Sequence, residues 1–134
     1  MQEPASFDYA LVRVVPRVER QEFINAGAVV YCPQKRFLAA RIRLDEVRLK
    51  ALWPDADLEL IRDHLRAVER ICAGDESSGP IAALSMSERF HWLTSPRSTI
   101  IQLSPVHTGV CDATDNLLDR LEAQFLSPLE SQSK

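Results

Sequence analysis

Short, mostly apolar runs rich in strand-forming residues occupy the first third of the chain and are separated by polar turns. Residues 7–15, FDYALVRVV, are rich in strand-forming residues and end at Pro16. Both faces of this segment are mostly apolar, which predicts a central strand. Residues 24–32 and 37–44 predict two more strands, and the short PQKR connection makes them an antiparallel hairpin. Gly27 inside the second strand predicts a bulge or a close backbone approach.

The pattern changes to a helical period after residue 44. Asp45 is the expected N-cap of a short helix that ends at Trp53, before Pro54. A longer helix follows, because apolar residues recur at steps of three and four and Gly74 stands where a C-terminal cap belongs. The residues of this apolar stripe are Leu58, Ile61, Leu65, Val68 and Cys72.

The last third of the chain predicts a helix, a strand and a second helix. SMSE at 85–88 has the pattern of a capping box and opens a helix that stops before Pro96. STIIQLS at 98–104 predicts a fourth strand that turns Gln102 away from the core. PVHTGVCD then predicts a turn, and Asp112 is the expected cap of the final helix. The apolar stripe of that helix comprises Thr114, Leu117, Leu118, Leu121 and Phe125.

This order of elements predicts a single α+β domain over residues 1–126. The expected architecture is an about four-stranded, mainly antiparallel sheet with about four helices packed largely on one face. The fourth strand is expected to pair with the first or the second strand. Residues 127–134 are polar and predict a flexible C-terminal tail.

The composition is that of a soluble protein. The chain has 134 residues, of which 46% are hydrophobic and 26% are charged. It has no apolar run near the roughly 18 residues of a membrane span and no secretion signal, so we expect a cytoplasmic protein. Its three cysteines are far apart and predict buried thiols. Phosphate-binding glycine loops and hydrolase motifs are missing, and the sequence predicts neither a cofactor nor a metal.

Charge is distributed unevenly along the chain. Residues 1–50 contain nine Lys and Arg against six Asp and Glu, and residues 51–134 contain seven against thirteen. Thirteen of the sixteen cations are Arg, whose planar fork binds carboxylates and phosphates bidentately. The acidic balance makes nucleic acid a less favoured partner, since nucleic-acid-binding domains are normally basic.

Arg13 is the first candidate for chemistry, because it lies in an apolar strand. A buried Arg needs a counter-charge or a ligand. Two interpretations remain open at this point. Either Glu19 or Glu22 pairs with Arg13 and pins the following loop to the sheet, or Arg13 and Arg17 bind an anion with Asn25 nearby.

A second group surrounds the predicted fourth strand. Arg97 precedes this strand, Gln102 lies within it, and His107 follows it. His107 is the best candidate for general acid–base work, since a histidine titrates near neutral pH. A nucleophilic pair of His107 with Cys111, or a metal site that adds Asp112, rests on spacing alone and is a weaker alternative.

A basic strip lies on the predicted third strand. Arg41 and Arg43 share one face with Phe37, an arrangement that can meet phosphates. The favoured interpretation is a solvated face on which Asp45 and Glu46 are the counter-charges.

Several segments together resemble a known bacterial family over about residues 7–126. These are YALVRVVPRVERQEFINAGAVVYCP, RFLAARI and SERFHWLTSPRSTIIQLSPVHTGVCD. They resemble the family catalogued as domain of unknown function 3037. The resemblance implies a small stand-alone bacterial protein and no established activity, cofactor or substrate. It also suggests a HipA-like kinase as a partner, through gene neighbourhood.

Two functional hypotheses follow. The leading one is a small interaction or regulatory module, because no catalytic motif is recognised and the strands are rich in Arg. The alternative is an enzyme or binder that acts on a phosphorylated small molecule or nucleic acid, with an Arg clamp and His107 as general acid–base. The residues expected to bind an anion or a partner are Arg13, Arg17, Glu22, Asn25, Arg97 and Gln102.

Overall fold

A five-stranded antiparallel sheet organises the protein. The computed structural model describes residues 3–97 and 99–127. The strands are β1 (Ala5–Val14), β2 (Ile24–Cys32), β3 (Phe37–Ile42), β4 (Ile101–Leu103) and β5 (His107–Cys111). The sheet runs β3-β2-β1, and both β4 and β5 pair with the far side of β1. The central position predicted for the first strand is confirmed, and of the two partners expected for the fourth strand the structure shows the first.

The described residues also contain four α-helices, and the first three begin at a side-chain N-cap. They are α1 (Glu46–Leu52), α2 (Leu58–Ala73), α3 (Met86–Thr94) and α4 (Leu117–Leu121), the last of which continues as a π-helical turn over Glu122–Leu126. Asp45 caps α1 by accepting from the Arg48 amide, and Ser85 and Glu88 form the predicted capping box of α3. Gly74 ends α2 with a positive φ of 73°.

The sheet separates two hydrophobic cores, since alternate residues of each strand point to opposite faces. The main core packs α1, α2 and α3 against a face that includes Val12, Val14 and Val29. The second core packs α4 against the other face, which includes Phe7 and Leu11. The predicted α+β class, with helices largely on one face of an antiparallel sheet, is therefore confirmed.

Gly27 lies at a bulge in β2, as its position predicts. Val12 pairs with Gly27 but Arg13 pairs with Asn25, so β2 contains one extra residue there. A Cβ atom on Gly27 would lie 2.7 Å from Cδ1 of Ile42 and 2.9 Å from the Arg41 carbonyl oxygen. Only glycine fits between these neighbours without displacing them.

β4 and β5 form one broken edge of the sheet. Leu103 is the partner of Val12 and His107 is the partner of Tyr9, and three residues, 104–106, lie between them. On β1 only two residues lie between Tyr9 and Val12. Ser104 compensates for this irregularity. Its hydroxyl oxygen accepts from the Leu11 amide at 2.8 Å, while its own amide donates to the Leu11 carbonyl at 2.8 Å. Ser104 is only 2% exposed.

The structure corrects three sequence predictions in the C-terminal third. The segment after Pro105 is the strand β5, not a turn. The final helix begins at Leu117 with Asn116 at its N-cap position, so Asp112 does not cap it. Ile100, expected to point away from the core, packs against the main core.

Two further expectations concern the C-terminal tail and membrane-spanning helices. The predicted tail lies outside the described residues from 128 onwards. Among the described residues, no helix has the length and apolar character needed to cross a membrane.

Candidate functional site

A groove of about 270 Å³ lies between α2, the end of α3 and the segment that leads into β4. Most of its lining is apolar. The apolar side chains include Val68, Ile71, Leu93, Ile100, Ile101 and Leu103. The polar lining residues are His64, Arg97 and Thr99, and none of the lining residues is acidic. The groove therefore combines an apolar wall with a positive charge.

Trp92 and Arg97 form the rim of this groove. The Arg97 guanidinium stacks over the Trp92 ring, with its carbon 4.2 Å from the ring centroid. It also donates to the backbone carbonyls of Trp92 and Ser95, at the C-terminal end of α3. Trp92 remains 37% exposed. The stack thus fixes a large apolar surface and a cation side by side at the mouth of the groove.

Among residues 3–97 and 99–127, no strand pairs with the outer edge of β4, which borders the groove. Val15 donates to the Ile100 carbonyl at 2.7 Å, and Ser104 donates to the Leu11 carbonyl at 2.8 Å. In antiparallel pairing, bonded residues alternate, so the N–H and C=O groups of Ile101 and Leu103 point away from β1. Thr99 Oγ1 donates to the Ile101 carbonyl at 2.7 Å. The remaining outward groups lie beside the apolar lining.

Three of the predicted site residues meet on the other face of the sheet. Arg13 is the register partner of Asn25 on β2 and of Gln102 on β4. We call Asn25, Arg13 and Gln102 the polar row. The Arg13 guanidinium lies over the Phe23 ring, 4.1 Å from its centroid, and Phe23 is 41% exposed. Gln102 Nε2 donates to the Thr99 carbonyl at 2.8 Å.

The predicted clamp between Arg13 and the loop carboxylates is wrong. Glu19 pairs with Arg17 at 3.6 Å, and Glu22 pairs with Arg20. The Arg20 guanidinium lowers the pKa of the exposed Glu22 carboxyl through a hydrogen bond and its charge. Both carboxylates of this loop therefore pair with arginines of the same loop, and neither forms an ion pair with Arg13.

The remaining candidates lie in separate surroundings. Arg17 and Glu22 line a shallow concavity with the end of α1, and Arg97 lines the groove. His107 is exposed on β5 and packs on Tyr9, with ring centroids 5.4 Å apart. Tyr9 lies four residues before Arg13 on β1, about 13 Å along the strand.

The basic strip on β3 also differs from its prediction. Arg41 bonds Asp119 at 2.9 Å and Glu122 at 2.6 Å, and Arg43 bonds Glu122 at 3.2 Å. These carboxylates belong to α4 and its π-helical turn. The nearby Glu46 instead pairs with Arg62 on α2. The strip therefore ties the final helix to the sheet.

The cysteines show no sign of nucleophilic activation. Cys32, Cys72 and Cys111 are all buried thiols. Burial raises the pKa of Cys72 to about 12, although nearby Arg89 acts in the opposite direction. Burial also raises the pKa of Cys111, and Cys32 adds to that shift. A reactive cysteine needs a lowered thiol pKa and some exposure, so a nucleophilic pair of His107 with Cys111 is not supported.

A model of the family described as "Protein of unknown function (DUF3037)" matches residues 9–126. The chain belongs to the DUF3037 family. The matched range of this DUF3037 member contains the polar row and every residue that lines the groove. No curated protein and no solved structure matches the chain.

Sequence reasoning missed the groove of this DUF3037 member and the stack of Arg97 on Trp92. The sequence does carry one signal for it, since a Trp followed five residues later by an Arg can place both side chains at one helix end. It also missed Arg89, which is 8% exposed and donates to the carbonyls of Ile71, Cys72 and Leu84. Nothing in the local pattern distinguishes Arg89 from the solvated arginines of α2.

Proposed function

We propose that this DUF3037 member is a small interaction or regulatory module that binds a segment of a partner protein in the groove. The observation that carries the proposal is the groove itself, with an exposed Trp92 and a cation at its rim. Concave apolar surfaces with a few placed polar groups are the usual form of binding sites. Trp and Arg are also the residues most enriched among dominant contacts at interfaces.

The charge and edge chemistry of the groove define the partner segment. Arg97 has no carboxylate within ion-pair distance in the part of the chain that the structure describes. Its hydrogen bonds to the Ser95 and Trp92 carbonyls use two of the five guanidinium N–H donors, which leaves donors for a ligand. The segment is therefore an extended peptide with apolar side chains for the lining and a carboxylate for Arg97. Its backbone pairs with the outward N–H groups of Ile101 and Leu103 and with the outward Leu103 carbonyl, as in strand addition.

A HipA-like kinase is the partner to test first, because the family resemblance suggests it. The two proteins are co-expressed and purified through a tag on the kinase. We expect a complex that survives size-exclusion chromatography with the wild-type chain and is lost with Trp92→Ala. A kinase that does not co-purify contradicts this partner, and the groove is then tested independently.

Peptide-display selection on the purified protein provides that independent test. We expect the enriched peptides to share apolar residues in alternation and at least one Asp or Glu. Their affinity should fall about tenfold with Arg97→Gln and further with Trp92→Ala. Val47→Ala is the matched control, because Val47 is an apolar side chain on α1 that is 82% exposed. Failure to enrich peptides, or equal affinity of all four proteins, would contradict the proposed function.

A further inference from the structure

The polar row is costly to maintain in the isolated protein. Nε of Arg13 and Oδ1 of Asn25 are inaccessible to water and have no hydrogen-bond partner. A buried polar atom without a partner costs about 1–3 kcal/mol. Among the described residues, no carboxylate lies within ion-pair distance of Arg13. The fold thus holds a half-buried cation in place without satisfying it.

Carboxylates lie close to Arg13 in the sequence, but they pair with other arginines. Glu19 and Glu22 follow in the same loop, yet they pair with Arg17 and Arg20. Phe23 leaves this loop to cover one side of the Arg13 guanidinium. This stack orients the guanidinium plane and excludes water from one of its faces. The cation is therefore held by an aromatic ring and flanked by two amides.

We propose that the polar row binds an oxyanion, the carboxylate or phosphate group of a ligand. The two terminal NH2 groups of the Arg13 guanidinium, which are not among the buried atoms, donate two parallel hydrogen bonds to such a group. Rotation of the Asn25 side-chain amide by half a turn exchanges its oxygen for its NH2. The NH2 then donates to the same anion. The partly exposed Phe23 ring offers an apolar surface for the part of the ligand next to the anion.

This site is independent of the groove. Arg13 lies on the β1 face that carries Phe7 and Leu11, residues of the second core. The groove is lined by residues of the main core, such as Val68 and Ile101, on the opposite face. Loss of peptide binding in the groove therefore leaves the oxyanion proposal intact, and the reverse also holds.

Nuclear magnetic resonance titration of the purified chain tests the proposal. Sodium phosphate and sodium acetate are added separately at constant ionic strength, while the Arg13 Nε–Hε, Asn25 NH2 and Phe23 signals are followed. We expect saturable shifts of these signals with at least one anion. Saturation with phosphate alone assigns a phosphate ligand, and saturation with acetate alone assigns a carboxylate. Linear drift or no shift with both anions overturns the proposal.

Two variants and a control sharpen the titration. Arg13→Gln should weaken anion binding about tenfold or more, whereas Arg48→Gln on the exposed side of α1 should leave it unchanged. Asn25→Asp supplies an internal carboxylate next to Arg13, so it should raise the midpoint of thermal unfolding and abolish anion binding. If Arg13→Gln does not fold, Asn25→Asp decides alone. Undiminished anion binding by that variant overturns the proposal.

Discussion

Arg89 and Arg97 lie eight residues apart on either side of the middle of α3, and each completes the C-terminal end of a helix. Arg89 donates to the Ile71 and Cys72 carbonyls at the end of α2, both at 2.8 Å. Arg97 donates to the Trp92 carbonyl at the end of α3. Helix C-termini leave carbonyls unpaired and carry partial negative charge, so a guanidinium suits both places.

The two arginines differ in what surrounds the guanidinium. Arg89 is enclosed and also donates to the Leu84 carbonyl at 3.0 Å, so its hydrogen bonds connect three segments of the main-core side. Arg97 stacks on Trp92 at the rim of the groove. The same chemistry therefore joins scaffold segments in one case and shapes the rim of the groove in the other. Enclosure, and not residue type or secondary structure, separates the two roles.

The largest expected effect is the loss of Arg89. Arg89→Met keeps a long apolar side chain but leaves the Ile71, Cys72 and Leu84 carbonyls without their donor. We expect the free energy of unfolding to fall by about 3 kcal/mol, measured by urea denaturation. A loss below about 0.5 kcal/mol, the range of ordinary surface changes, would show that the comparison with Arg97 has no energetic basis.

Removing the Ser104 hydroxyl should have the next largest effect. Ser104→Ala leaves the Leu11 amide without an acceptor at the break between β4 and β5. We expect a loss of about 2 kcal/mol in the free energy of unfolding. Faster exchange of the Leu11 amide hydrogen should accompany it. A protected Leu11 amide in the variant would mean that another acceptor replaces Ser104.

The burial of Cys72, whose carbonyl accepts from Arg89, predicts that stability depends on pH. Its thiol pKa is raised to about 12 by burial, whereas an unfolded thiol ionises near pH 9. The unfolded state therefore releases its proton first, and the stability associated with Cys72 is complete below pH 9 and is lost as the pH rises towards 12. Between pH 8 and 10 we expect a loss of about 1 kcal/mol. Cys72→Ala should show a correspondingly smaller decline over the same interval.

The smallest expected effect on stability is that of Arg97→Gln. The side chain is partly exposed, and its stack and hydrogen bonds form at the protein surface. We expect a change within about 0.5 kcal/mol in urea denaturation, together with the loss of peptide affinity proposed above. A destabilisation as large as that of Arg89→Met would assign Arg97 to the scaffold and remove the main argument for the groove.

Sequence patterns predicted those elements whose signals are local. The bounds of β2 follow from a mostly apolar run, and those of α2 follow from apolar periodicity. Asp45 and Ser85 cap helices within three residues of themselves. β5 escaped because it is a mostly exposed edge strand, HTGVC, without apolar alternation. Its partner β1 lies about a hundred residues earlier, so no local pattern reports the pairing.

The candidate site was predictable only in part, for a related reason. Sequence proximity favours near counter-charges, and it offers Glu19 or Glu22 for Arg13 and Asp45 and Glu46 for the basic strip. Asp45 caps α1, as its position predicts, but Arg41 bonds the distant carboxylates of α4 and its π-helical turn. The polar row was brought together by strand register, which a single sequence does not specify. The groove arises from the packing of α2 and α3 at the end of β4 and has no linear motif.

The extra residue around Pro105 sets a limit on how far the sheet can grow. A partner strand in register with Ile101 and Leu103 meets a shifted ladder when it reaches β5, because the two strands follow different registers against β1. Proline also lacks the N–H that would continue such a ladder. An added strand therefore has a defined length of a few residues. We expect the same break to oppose the joining of copies of the chain edge to edge along this side.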